Sequence, residues 1–180
     1  YNAFVWQKEM NPQAGMLRIV FGLGTRAVNR VENDYPRIVA LDAPLVKPYA
    51  KQADMQRFSQ REVDILNLKE NEFQSVPLPE VLNENYESHM DLIAERDFAA
   101  MEFMRSKGGK MNDVWMLTFD ELLSSTPFAE VMSKLLRKLE QIYRYPVDIE
   151  FTVNFNVDGK FKINLLQCRP FQTKGHYSRM

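Results

Sequence analysis

The chain has 180 residues, 45% of them apolar and 26% charged, with a net charge of −1. That length can bury a real core, and the charge balance gives no bulk basic character with which to recruit nucleic acid or an anionic membrane. The single cysteine, Cys168, excludes an internal disulfide framework, cannot make a zinc site without other ligands, and points to a reducing, cytoplasmic setting.

No apolar run approaches the 18 residues of a membrane span, and no basic segment followed by an apolar one opens the chain. The first residues, Tyr1-Asn2-Ala3-Phe4, enter a strand-like run at once without a Met, so the chain is expected to be cut from something larger.

Residues 2–8 (NAFVWQK) read as a short strand, Asn11-Pro12 and Gly15 as a turn, and residues 16–23 (MLRIVFGL) as a strand covered on both faces, paired with the first. Gly22-Leu23-Gly24-Thr25-Arg26 follows. Glycines at a strand end let backbone approach a ligand and can turn N–H groups toward phosphate; the competing reading is a plain turn. No Gly-Lys-Ser/Thr follows and the third glycine of a dinucleotide fingerprint is missing. Arg26 and Arg30, four apart, read as a solvated basic face.

Residues 37–42 (RIVALD) are a strand and 43–48 a loop. The segment 54–66 is ambiguous, ending in a strand at 62–66 (EVDIL); with 73–78 (FQSVPL) it forms an antiparallel excursion. Residues 79–85 are expected to hold one helical turn. From 86 to 105, Met90, Ile93, Ala94, Phe98, Met101 and Met104 are close to helical spacing, although the first half also fits a strand. The segment 106–110 (SKGGK) is a loop, and 114–117 a short strand. Thr118 with Glu121 has the form of a capping box. Thr126 as N-cap and Pro127 open the most regular helix, with Phe128, Val131, Met132, Leu135, Leu136, Leu139, Ile142 and Tyr143 in one stripe and Lys134, Arg137 and Lys138 opposite. Tyr145-Pro146 stops it.

Residues 147–170 (VDIEFTVNFNVDGKFKINLLQCRP) read as a hairpin around Asp158-Gly159. A two-residue loop puts Glu150 opposite Gln167 and Asp148 opposite Arg169, all on one face. A four-residue loop keeps that face and shifts the partner; a three-residue loop without a bulge separates Glu150 from Gln167. Carboxylate and amide oxygens there can hold a divalent cation, and the arginine fork can grip phosphate. The alternative is an ordinary hairpin with solvated polar ends. Residues 171–180 are a polar tail. His89 and His176, the only histidines, lack any metal-ligand spacing. The class expected is α+β, an antiparallel sheet with helices packed on one face.

Gly22-Leu23-Gly24 after an apolar strand, then Asp148-Ile149-Glu150 and Leu166-Gln167-Cys168-Arg169-Pro170 around a hairpin, resemble the ATP-binding domain of the phosphoenolpyruvate synthase and pyruvate phosphate dikinase family. The match lies in the first and last fifty residues; the middle, about residues 50 to 120, does not align. The resemblance implies an ATP-grasp fold, with residues 1–180 as its C-terminal portion. It makes Glu150 and Gln167 magnesium ligands, Arg169 a catalytic contact to ATP phosphates, and Gly22 and Gly24 part of the nucleotide site. ATP and Mg2+ are the implied cofactors. The family reaction passes a phosphoryl group from ATP to a histidine on another domain and then to pyruvate. Such chemistry relies on metal and cationic groups to balance developing charge.

Two departures stand out: Thr25-Arg26 where the family usually has Glu after Gly-Leu-Gly, and Asn2-Ala3-Phe4 where it has Ser-Gly-Val. The resemblance places the N-terminal ATP-grasp lobe, the phosphohistidine domain and the pyruvate-binding barrel outside these residues, so the chain alone is expected not to turn over. The other readings are a related dikinase or phosphotransferase with another acceptor, such as a rifampin phosphotransferase or a glucan water dikinase, and a degenerate nucleotide-binding or structural domain.

Overall fold

The computed structural model describes residues 5–29, 31–49, 51–82, 89–108 and 114–172. In chain order it contains a 3-10 turn Pro12–Ala14, β1 Met16–Ile19, α1 Thr25–Val28, β2 Arg37–Ala40, α2 Gln52–Arg57, β3 Glu62–Asn67, β4 Glu72–Pro77 and α3 Leu78–Leu82. Then come α4 Met90–Ile93, β5 Ala94–Arg96, α5 Phe98–Ser106, β6 Trp115–Leu117, α6 Asp120–Ser124, α7 Phe128–Tyr143, β7 Val147–Phe155 and β8 Phe161–Pro170. The class is α+β. Among the described residues the strands pair antiparallel as four two-stranded sheets, β1–β2, β3–β4, β5–β6 and β7–β8. No described helix is long and apolar enough to cross a membrane.

One apolar cluster joins these pieces, with Leu17, Val39, Ile93, Leu122, Phe128 and Met132 at its centre. Phe128 and Met132, from the first two turns of α7, are wholly buried. The ring of Phe128 meets Phe161 edge-on at 5.7 Å and Phe151 at 6.5 Å between centroids, within the range where aromatic pairs add to area burial. Helix α7 therefore ties the last hairpin to the core. Thr126 Oγ1 accepts from Phe128 N at 3.2 Å at the start of α7, and Arg144 leaves it in the left-handed region at φ 54°. Farther along the same stripe, Ile142 and Tyr143 are exposed.

Several expectations are corrected. Residues 5–8 form no strand, and 1–4 lie outside the described residues. Strand β1 pairs with β2 instead. Asn11 Oδ1 accepts from Gln13 N at 2.9 Å and starts the 3-10 turn, and the buried Val39 and Ala40 of β2 supply the apolar partner face. Nor is β1 covered on both sides, since Leu17 and Ile19 are buried while Arg18 is exposed. The helix-like spacing from 90 to 105 breaks at Ala94–Arg96, which pair with Trp115–Leu117. Asp97 then restarts a helix, its Oδ1 accepting from Ala100 N at 3.0 Å. The capping box at Thr118 does not form. Thr118 Oγ1 donates to Glu95 Oε1 at 3.2 Å, and the Glu121 carboxylate accepts from the Ser125 hydroxyl. Arg30, residues 83–88, residues 109–113 and the tail from 173, with His176, lie outside the described residues.

Candidate functional site

The last hairpin brings the four expected polar residues together, by a different route. Phe155 faces Phe161 and Asn154 faces Lys162, so the loop is one residue longer than an Asp-Gly pair. Asn156 sets it: its N–H donates to Lys160 O at 2.9 Å, and its side-chain oxygen accepts from Asp158 N at 3.1 Å and Lys160 N at 2.8 Å. Gly159, at φ +75°, supplies the left-handed residue that such loops require. Carried to the hairpin end, this register would turn Gln167 inward. It shifts between Glu150 and Phe151, however: Phe151 faces Leu165 and Glu150 faces Gln167, leaving Leu166 as the extra residue of a bulge. The bulge restores Glu150 opposite Gln167 and Asp148 opposite Arg169.

The inward positions Ile149, Phe151, Val153, Phe155, Phe161 and Ile163 pack on the core. By strand alternation the polar set occupies the outer face, and Glu150, Gln167 and Arg169 are exposed. Arg169 Nε and Nη2 donate to Asp148 Oδ2 at 3.0 and 2.8 Å. That pair of bonds, reinforced by the Asp148 charge, pushes the guanidinium pKa up. Asp148 thus orients Arg169. Among the described residues, Glu150 and Gln167 engage no side-chain hydrogen bond, and the Glu150 charge adds to that of Asp148 in raising the Arg169 pKa. A carboxylate and an amide oxygen facing each other fit a hard cation such as magnesium, which takes oxygen ligands and retains several waters. Behind this face, the neighbouring Cys168 thiol pushes the Tyr143 hydroxyl pKa up.

The Gly22–Gly24 turn is held by β3, and among the described residues it shares no hydrogen bond or ion pair with the hairpin set. Leu23 N donates to Asp64 O at 2.9 Å. Gly22 has φ +91°, and a Cβ there would lie 2.5 Å from Val63 Cγ1 and 2.7 Å from Asp64 O. Gly24 meets nothing within 4 Å. The two glycines therefore differ: the first is required by packing and backbone, and the second lies against open space.

Arg26 is not part of a solvated basic face. It is buried, its guanidinium bonded to Asp34, to Glu62 at 2.7 Å and to Asp64 at 2.8 Å. Sequence reasoning missed this cluster because its acids lie eight, 36 and 38 positions away, with no local spacing to reveal them. Burial alone would raise the Asp64 carboxyl pKa, but hydrogen bonds from Ser75, Thr25 and Arg26 outweigh it and hold the group below its ordinary value. His89 packs against the hairpin turn, its ring 6.1 Å from that of Phe155.

No curated protein and no solved structure matches the chain. The family model described as pyruvate phosphate dikinase, AMP/ATP-binding domain, matches residues 6–179. That span takes in the unaligned middle as well as both ends, and the chain belongs to the pyruvate phosphate dikinase AMP/ATP-binding domain family.

Proposed function

We propose that residues 1–180 are the C-terminal portion of an ATP-grasp domain in a phosphoenolpyruvate synthase-like phosphotransferase, working in the cytoplasm. Its role is to hold ATP while a phosphoryl group moves to a histidine on another domain and on to pyruvate. The observation that carries the reading is the outer face of the last hairpin, where Glu150 faces Gln167 and Arg169 stands two residues on.

Glu150 and Gln167 would hold Mg2+, and Arg169, oriented by Asp148, would contact the phosphates. Magnesium, when bound, supplies positive charge against the phosphate oxygens. Arg169 adds a planar fork of donors matched to phosphate geometry. Gly22 and Gly24 bring backbone close to the nucleotide. The remaining groups come from the other ATP-grasp lobe and the phosphohistidine domain. The Thr25-Arg26 flank has a structural occupation in the Asp64 cluster.

The test is ATP-to-AMP conversion by the full-length protein with and without pyruvate. Pyruvate-dependent AMP formation is expected. ATP binding with no response to pyruvate would replace pyruvate by another acceptor, and absence of ATP binding would end the nucleotide reading.

A further inference from the structure

The segment that leaves β1 is held by side chains from a part of the chain remote in sequence. The amide of Gln60 acts as a missing strand neighbour: its Oε1 accepts from Phe21 N at 2.8 Å, and its Nε2 donates to Phe21 O and Glu62 O, each at 2.8 Å. Two residues on, Leu23 is bonded to the backbone of Asp64. The Asp64 carboxylate then takes the hydroxyl of Thr25 on one oxygen, and Arg26 Nε and Ser75 Oγ on the other, at 2.8 and 2.6 Å. Asp64 is buried, whereas Thr25 is exposed and bonded inward.

We propose that Asp64 and Thr25 are positioning residues for nucleotide binding: they hold the Gly22–Gly24 turn in its binding shape, and so make the β3–β4 hairpin the support of the ATP site. The inference rests on the proposed ATP-binding role of that turn. A glycine-containing turn is costly to order. Bonds from Gln60, Asp64 and Thr25 meet that cost on folding, which leaves less to be met on binding. Neither positioning residue needs to touch ATP. Thr25 and Arg26, where the family usually has Glu, point into this support.

The test uses full-length protein with Thr25→Val, which replaces the hydroxyl by a methyl at an exposed position, and Thr25→Ser, which keeps it. For Thr25→Val the KM for ATP should rise roughly three- to tenfold, the loss of about one hydrogen bond. The value of kcat should stay within about twofold, since only binding shared by ground and transition state is lost. Thr25→Ser should restore the wild-type KM. A lowered melting temperature with an unchanged KM would overturn the proposal, as would a raised KM that Thr25→Ser does not restore. Wild-type protein that binds no ATP would overturn the reading beneath it, and that result is separately visible in the unmutated control.

Discussion

Replacing Arg26 by Met isolates the charge cluster that organises the first half of the chain. Arg26 is 7% exposed, and the side chains of Asp34 and Asp64 are each 6% exposed, while Glu62 is 49% exposed. Methionine fills much of the volume but strands two buried carboxylates. Breaking a buried pair by removing one partner costs about 3–5 kcal/mol, and the half-exposed Glu62 arm adds roughly 0–1 kcal/mol. Asp34 keeps a bond from Arg61 N, and Asp64 keeps those from Thr25 and Ser75, so the lower part of that range, about 3–4 kcal/mol, is expected. At about 2–4 °C per kcal/mol for a domain of this size, melting should fall by roughly 6–16 °C.

Proton linkage supplies the second check. In the wild type, Asp64 titrates below its ordinary value. Its contribution is therefore present above the unfolded pKa of about 3.9 and is lost as pH falls through the lower folded value. In Arg26→Met, Asp64 loses the arginine hydrogen bond and charge that help hold it down, so it should titrate higher than in the wild type. As pH falls through the folded wild-type value, the wild type loses the contribution that the variant already lacks in part. Urea unfolding followed by circular dichroism at pH 7 and about pH 3 should show the deficit narrowing in acid. A loss below about 1 kcal/mol, or a deficit independent of pH, would refute the buried cluster.

Gly22→Ala should cost at least about 2 kcal/mol, because φ +91° strains an L-residue and the new Cβ meets Val63 and the Asp64 carbonyl. Gly24→Ala, facing open space, should stay within about 0.5 kcal/mol in the same denaturation assay; equal costs would contradict the description of the turn. Phe128→Ala should cost about 3–5 kcal/mol, since the ring is wholly buried between α7 and the last hairpin. Hydrogen exchange should then show faster opening of β7 and β8 than of β1 and β2, and uniform loosening would argue against α7 as their link.

What was legible in the chain was mostly local. The alternation of Ile149, Phe151, Val153 and Phe155, and the apolar stripe opening at Phe128, each repeat with the period of their element. The pairing of Glu150 with Gln167 was reached through two offsets that cancel. Asn156 lengthens the turn by wrapping it with its side chain, and the bulge at Leu166 removes the extra residue. A signal for the bulge existed, because consecutive Leu165 and Leu166 break the alternation of β8. Arg26 left no such trace, since Glu62 and Asp64 arrive only when β3 folds against the Gly22–Gly24 turn. The break at Ala94–Arg96 was also hidden, because a strand of three residues within an apolar repeat depends on its partner at Trp115–Leu117.

Glu150, Gln167 and Arg169 are proposed to form the metal and phosphate edge of an ATP site. The most direct measurement is ATP-to-AMP turnover by full-length protein carrying Glu150→Ala or Gln167→Ala, with Asn154→Ala on the same face nearer the turn as control. Turnover should fall at least about 100-fold for the first two and hold for the control, with all three variants folded. Wild-type turnover in Glu150→Ala would contradict the assignment.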